Sequence, residues 1–365
     1  MSKLFLHVVA ARPNFMKAAP VIKKFEKECI PFKLVHTGQH YDNNMSNVFF
    51  EQLGLRTPDI NLNIGGGDFS YQIGNILIKL KEYIEGLPLK PTAIIVYGDV
   101  NSTVSSALVS KMMQIDLIHI ESGLRSYDNK MPEEINRLIT DRLSNYLFVT
   151  SQDCITNLNK EGIEDNIYFV GNTMIDSLVD LNPKIDSSKI LQNLKLKKSN
   201  YVVVTLHRPS NVDDKRNLEN ILNQFQKLSK KISVVFPVHP RIKETVNLLS
   251  NDWDEKLNII VTDPLPYFDF IKLLKNASLV ITDSGGIQEE ATFFGVQCLT
   301  LRDNTERPIT IYEGTNKLIG SDPKKIIKHF SKISIKAKKQ KKIIKFWDGK
   351  ASNRIIKKIK LIYKI

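Results

Sequence analysis

Along most of the chain, short apolar runs rich in β-branched residues alternate with longer stretches whose apolar positions recur at helical spacing. In the first half, the runs Leu4–Val9, Phe32–Val35, Ala93–Val96, Leu117–Ile120, Tyr146–Val149 and Ile167–Val170 predict buried strands. Between them, helices are expected near Asn14–Glu28, Met45–Leu53, Tyr71–Ile84, Ser102–Met113, Pro132–Ser144 and Asp153–Lys160. Pro132 suits a first helical turn, where its missing N–H is not needed. Past Gly171 the signal weakens through Pro183 and the Lys/Ser/Asn-rich stretch 184–200, then restarts. Strands are predicted at Tyr201–Thr205, Val234–Pro237, Asn258–Val261, Leu279–Thr282 and Cys298–Leu301. Helices are predicted near Leu218–Ser229, Arg241–Leu249, Phe268–Lys275, Ile287–Phe294 and Pro323–Phe330. Such alternation calls for right-handed crossovers and a parallel sheet covered on both faces. The expected fold is therefore α/β, with two Rossmann-like, doubly wound parallel-sheet domains, 1–172 and 173–345, and an interdomain cleft. Ile355, Ile356, Ile359 and Ile362 fall at helical spacing, so 346–365 is expected to pack back on the first domain as a last helix.

The polar residues add function to this pattern, because they gather just after the strands. Arg12, His36-Thr37-Gly38-Gln39-His40, Gly98-Asp99, Glu121-Ser122-Gly123, Gly171-Asn172, His207-Arg208, His239-Pro240, Pro264 and Ser284-Gly285-Gly286 all stand there. In open parallel sheets, ligands bind outside the carboxyl ends of the strands. The segment 279–295 is the sharpest case. Two glycines between a buried strand and a helix let the backbone turn and approach a ligand. The free N–H groups and positive dipole end of that helix suit an anion such as a diphosphate. Glu290 is placed to accept hydrogen bonds from ribose hydroxyls. Asp99 ends a buried strand, where an unpaired acid is costly. Glu133 and Glu134, in the first turn of the Pro132 helix, also suit the helix dipole. His7 and His119, inside apolar runs, are expected to be core residues, whereas His207 and His239 at strand ends are expected to be functional.

Composition narrows the choice. At 365 residues the chain is comfortable for two domains, and 42% hydrophobic with 25% charged residues is ordinary for a globular protein. No apolar run approaches the roughly 20 residues that span a bilayer. Leu4–Ala11 contains His7 and runs straight into Arg12-Pro13, so it reads as a first strand and not a leader. The net charge of +13 is concentrated: residues 323–365 hold 16 of the 52 lysines and arginines and one acid, Asp348. That reads as a solvated lysine-rich helical face, and no nucleic-acid partner or membrane insertion is expected. Cys29, Cys154 and Cys298 form neither a disulfide framework nor a zinc pattern, which fits a reducing cytoplasm. His-Glu-x-x-His, Walker lysine and nicotinamide-type glycine motifs are absent, so no metal or cofactor is expected. A diphosphate site of this kind suggests a nucleotide-sugar.

In order and spacing, the motifs resemble the non-hydrolysing UDP-N-acetylglucosamine 2-epimerase family, over nearly the whole length. The resemblance rests on Arg12-Pro13, His36 to His40, Gly98-Asp99, Glu121 to Arg125, Met131 to Arg137, Gly171-Asn172-Thr173, Thr205 to Arg208, Phe236 to Pro240, Thr282 to Glu290, Arg302 to Arg307 and Asp348 to Ser352. It implies a glycosyltransferase-B type fold and a homodimer that feeds surface-polysaccharide synthesis. The implied reaction eliminates UDP to a 2-acetamidoglycal and adds it back with C2 protonated on the other face. By the same resemblance, Asp99, Glu121 and Glu133 match the catalytic acids, and Lys17 matches an active-site lysine. His207, Arg12, Ser284, Gly285 and Gly286 would hold the diphosphate, and Glu290 the ribose. Phe270 lies where the family's backbone meets the uracil. Arg307 matches a further catalytic-site arginine, and Arg137 and His239 join the substrate-binding set. There are departures. Ser122 stands where Ala is usual and Ser210 where Glu is frequent, and Gln39-His40 is followed by Tyr41-Asp42 in place of Arg-Glu. The last puts activation by a second UDP-N-acetylglucosamine in doubt. Tyr41-Asp42 and Met131-Pro132 also resemble the branch acting on UDP-2,3-diacetamido-2,3-dideoxy-glucuronate. A hydrolysing epimerase, a UDP-sugar glycosyltransferase and an idle nucleotide-sugar sensor are the rival readings.

Overall fold

A computed structural model describes residues 3–38, 50–250, 257–333 and 343–365, apart from the side chains of Arg12, Leu249 and Ser250. Gln39 to Asp42 and most of the expected Met45–Leu53 helix lie outside the described residues. The chain divides into two compact units, Met1–Asp180 with Lys345–Ile365, and Leu181–Ile344.

The first unit is built on a seven-stranded sheet of β1 (Phe5–Val9), β2 (Phe32–His36), β3 (Ile60–Asn61), β4 (Ala93–Tyr97), β5 (Asp116–Ser122), β6 (Tyr146–Val149) and β7 (Ile167–Phe169). Its order is β3-β2-β1-β4-β5-β6-β7, and every pairing is parallel. The second unit carries β8 (Tyr201–Thr205), β9 (Ser233–Pro237), β10 (Ile259–Thr262), β11 (Leu279–Thr282), β12 (Gln297–Thr300) and β13 (Asn316–Leu318), in the order β10-β9-β8-β11-β12-β13. These pairings are parallel too. Both sheets are thus doubly wound. Strand order reverses between β1 and β4 in one and between β8 and β11 in the other, and those reversals open the crevices where ligands of such folds bind.

The strands form because their apolar runs are buried from end to end: β1 and β4 are covered at every residue. Leu6, Val8, Ile94, Val96 and Leu117 pack with Ile76, Leu80 and Ile84 of the helix Phe69–Glu85. Val202, Val204, Phe225, Phe236 and Ile281 do the same work in the second unit. Each such side chain, fully buried, contributes about 1.5–3 kcal/mol. β3 and β13, two short edge strands, were not foreseen.

The helix Thr173–Asp180, placed beyond the expected boundary at 172/173, goes with the first unit. Ser177 Oγ donates to the carbonyl of Met16 at 2.5 Å, on the helix Arg12–Lys27. Asp176 accepts from the N–H groups of Ala351 (3.0 Å) and Ser352 (2.7 Å), and so caps the helix Ala351–Tyr363 from outside it. That last helix buries Ile355, Ile356, Ile359 and Tyr363 against the first unit, while Ile362 is only half-buried. Tyr363 meets the ring of Phe5 edge-on at 5.2 Å and donates to Asp116 at 2.9 Å. Among the described residues, no helix is long and apolar enough to cross a membrane.

Candidate active site

In the first unit the chemistry collects at the carboxyl ends of β4 and β5, next to the strand-order reversal. Glu121, at the end of β5, is buried and holds a backbone φ of +71°. The register of β5 against β6 slips between Ile120 and Ser122, a bulge that re-aims the side chain between them. A left-handed backbone at a buried non-glycine residue costs on the order of 1–3 kcal/mol and persists only where neighbours hold it. The Glu121 carboxylate pairs with the ammonium of Lys17, itself buried on the helix Arg12–Lys27. Gly98 makes room for the pair. A Cβ there would lie 2.6 Å from Lys17 Nζ and 2.7 Å from Glu121 Oε2.

Asp99 follows β4 directly, its side chain 19% exposed. Its Oδ2 accepts from Arg137 Nε at 3.0 Å and Nη2 at 2.8 Å, two charged donors converging on one oxygen. Asn136 Nδ2 donates to the Asp99 carbonyl at 2.9 Å. Arg137 also pairs with Glu134, which is buried and accepts from Ser126 N and Oγ and from Tyr127 N. Glu133, one residue earlier, is exposed and has no hydrogen-bond or ion-pair partner among the described residues. Within β5, His119 is fully buried. Its Nδ1 lies 2.6 Å from Asp141 Oδ1 and its Nε2 2.8 Å from the Gly98 carbonyl. Asp141 also accepts from Gly123 N (3.0 Å) and Arg125 Nη1 (2.7 Å). Burial works to raise the Asp141 pKa, but His119 and Arg125 hold it below the ordinary value.

In the second unit the chemistry lies at the ends of β8 and β11, again beside the reversal. Asp283, with no exposed side-chain surface, accepts from the N–H groups of His207 and Arg208 and from Asn211 Nδ2, each within 3.2 Å. Its Oδ1 lies 2.8 Å from His207 Nδ1, which leaves Nε2 of that 43%-exposed ring outermost. Burial pushes the Asp283 pKa up; the His207, Asn211 and Arg208 bonds outweigh it and hold the carboxyl low. The His239 ring stands 6.2 Å from His207, and its Nδ1 accepts from Arg241 N at 3.2 Å. Burial, then His207 and Arg241, lowers the His239 pKa and keeps that ring neutral.

Ser284 stands before the helix Gly285–Phe294, and its hydroxyl does not cap that helix. Gly285 has no room for a side chain, since a Cβ would lie 2.8 Å from Arg307 Nη1 and closer still to Glu306. Arg307 is buried between Glu306 and Glu289, and Glu306 is shared with Arg302. Glu290 is buried, its Oε1 3.5 Å from the Tyr267 hydroxyl.

A family profile described as UDP-N-acetylglucosamine 2-epimerase matches residues 23–360. The chain belongs to this family. The UDP-N-acetylglucosamine 2-epimerase of Methanocaldococcus jannaschii is 40% identical over 359 residues, 96% of this chain and 97% of that protein. A crystal structure of M. jannaschii UDP-GlcNAc 2-epimerase in complex with UDP-GlcNAc and UDP matches with a TM-score of 0.88 and 37% identity, covering 98% of this chain and 99% of the other. The UDP-2,3-diacetamido-2,3-dideoxy-D-glucuronate 2-epimerase of Pseudomonas aeruginosa is 40% identical over 321 residues, 87% of this chain and 88% of that protein. MurG of Acinetobacter baumannii, with a TM-score of 0.56 at 14% identity, shares the fold alone. The two doubly wound sheets of this epimerase-family chain are therefore of the glycosyltransferase-B type.

Within the first unit, Lys17, Glu121, Asp99 and Arg137 come together around Gly98. Glu133 stands apart from their ion pairs, and Arg12 is the first residue of its helix, its side chain outside the described residues. In the second unit, His207, His239, Ser284, Gly285, Gly286, Glu290 and Arg307 gather along β8, β9 and β11 and the helix after β11. Phe270 lies in the helix Tyr267–Asn276, its N–H donating to Pro266 O at 2.9 Å. Three carboxylates at the heart of these groups, Asp141, Glu134 and Asp283, carry roles that sequence reasoning did not assign. Asp283 could have been found by the argument that singled out Asp99, since it too ends a fully buried strand.

Proposed function

We propose that the chain interconverts UDP-N-acetylglucosamine and UDP-N-acetylmannosamine by elimination and re-addition of UDP. The observation that carries this reading, beside family membership, is the pair of carboxylates Glu121 and Asp99 on neighbouring strand ends, each facing a buried cation. C2 of the sugar has no carbonyl beside it, so its proton leaves only as the C1–oxygen bond breaks and the electrons pass to the departing diphosphate. That step needs a base at C2 and strong stabilisation of the leaving group. Asp99, Glu121 and the exposed Glu133 supply acid and base groups, and Lys17 and Arg137 fix the first two. The uncapped helix start at Ser284-Gly285-Gly286, with His207, Arg12 and Arg307, takes the developing diphosphate charge. His239 and the Phe270 backbone complete the nucleotide contacts, and Glu290 binds the ribose. Re-addition of UDP with protonation of the opposite face of C2 completes the exchange.

Proton NMR of the protein with UDP-N-acetylglucosamine in D₂O tests the reading. Deuterium at C2 together with a UDP-N-acetylmannosamine signal is expected. Free UDP with free sugar would replace the proposal by the hydrolysing reaction. The 40% identity to the P. aeruginosa enzyme supports a second reading, in which UDP-2,3-diacetamido-2,3-dideoxy-glucuronate is the substrate. Turnover of that nucleotide alone would establish it. Homodimerisation belongs to the same proposal, supported by exposed Phe69, Tyr71, Ile78 and Met112 on two helices of the first unit. Light scattering giving a monomer mass would remove it. The three free thiols suit a reducing cytoplasm.

A further inference from the structure

We infer that Asp141 is the positioning residue for both reacting carboxylates of the first unit, through the two flanks of Glu121 and through His119 for Asp99. The inference rests on the roles proposed above for those two acids.

Asp141 lies in the last turn of the helix Pro132–Leu143, fully buried, and touches neither acid. Its bonds go to the residues on either side of Glu121: the ring of His119, two before it, and the N–H of Gly123, two after it. Glu121 is thus the centre of a two-point clamp. A residue whose backbone sits in the left-handed region, at a bulge, stays there only if its flanks are held. One carboxylate holds both flanks.

The same carboxylate reaches Asp99. His119 Nε2 faces the Gly98 carbonyl, and Gly98 N donates to the Ile120 carbonyl at 2.9 Å. Gly98, the residue before Asp99, is therefore fixed from β5 through both its N–H and its carbonyl, with Asp141 behind the ring that meets the carbonyl. Both nitrogens of His119 are engaged, one by Asp141 and one by the Gly98 carbonyl. Arg125 completes the assembly. It donates to Asp141 and holds Glu161 by two bonds, so the clamp is anchored to the helix Gln152–Lys160.

An ångström-scale misplacement of a reacting group costs on the order of 100-fold in rate. Asp141→Ala is therefore expected to lower kcat by about 10–100-fold, with KM within about threefold, because Asp141 touches none of the residues proposed to hold the nucleotide. Asp141→Asn should restore most of the activity, since its amide can serve His119 while its carbonyl serves Gly123. The His119 pair cuts the second arm at either end. His119→Gln keeps a donor toward Gly98 but loses the bond to Asp141, and His119→Asn keeps the Asp141 side but loses Gly98. Each should lower kcat, though by less than Asp141→Ala, which releases both arms. Wild-type kcat in folded Asp141→Ala, or in either His119 variant, would overturn the inference. A crystal structure of Asp141→Ala, or of His119→Asn should the former not fold, reads the same point without turnover. Glu121 is expected to leave the left-handed region, and its persistence near φ +71° in either variant would refute the clamp even if the substrate assignment were wrong.

Discussion

Glu121, at the end of β5, and Asp283, just past β11, are both buried carboxylates beside a strand-order reversal, yet they are held differently. Asp283 is surrounded by donors: two backbone N–H groups, an asparagine amide and the inner nitrogen of His207. None of its surface is exposed, and what reaches outward is the histidine it orients. Glu121 sits on a left-handed backbone and pairs with the buried Lys17 beside Gly98. Its fixed supports lie behind it, in Asp141 and His119. In the second unit the acid is scaffold and a histidine is presented. In the first the acid is presented, and another acid is the scaffold. The comparison shows how little burial says about role: what a carboxylate orients, and whether its own backbone is at ease, say much more.

The largest expected effect tests the presented acid. Glu121→Gln should lower kcat by roughly 10²–10⁴-fold, the usual range for a general acid or base, with UDP affinity by calorimetry unchanged. Near-parental turnover would remove Glu121 from the chemistry. Next comes the scaffold acid. Asp283→Ala leaves buried donors without an acceptor and should destabilise the protein by about 3–5 kcal/mol in urea unfolding. A smaller stability loss than that of Glu121→Gln would reverse the comparison.

Acidification probes a third buried group, His7 of β1, whose pKa burial lowers from 6.5 to about 3. Between those values the unfolded chain binds the proton and the folded chain does not. Stability should therefore be full above about pH 6.5 and fall as pH drops toward 3, by up to about 1.4 kcal/mol per pH unit. Melting temperatures across that range should decline less steeply in His7→Asn, which keeps a polar partner for Tyr97. An unchanged slope would show that another group sets it. The smallest effect belongs to the uncapped helix start. Ser284→Ala should weaken UDP binding by about 1 kcal/mol, one hydrogen bond's worth, and unchanged affinity would take the hydroxyl out of the diphosphate site.

Much of this was legible in the chain because two signals are local. Fully buried strands announce themselves as apolar β-branched runs, and strand ends announce the functional edge, so Asp99, Glu121, His207 and Ser284 could be named from order alone. β3 and β13 carry too few residues for periodicity, and only their long-range pairing makes them strands. Asp141 was invisible for a related reason: near the end of a helix it reads as surface charge until β5 is laid against it. Glu133 and Glu134 looked alike in the sequence, both suited to a helix dipole. The structure separates them, one exposed and one buried under the Ser126–Tyr127 turn and Arg137. His119, expected as plain core, is core with both ring nitrogens engaged.

The helix Ala351–Tyr363 has a consequence for the order in which the protein is assembled. The surface it covers, Phe5 and the helix Arg12–Lys27, is made before the second unit, and the residues that cover it come after that unit. Everything the second unit needs, Leu181–Ile344, is synthesised in between. On a ribosome the later unit is therefore the first that can be finished, while the earlier one carries an apolar patch until Tyr363 arrives. A chain interrupted before Ala351 would pair a complete second unit with a first unit still missing its last helix.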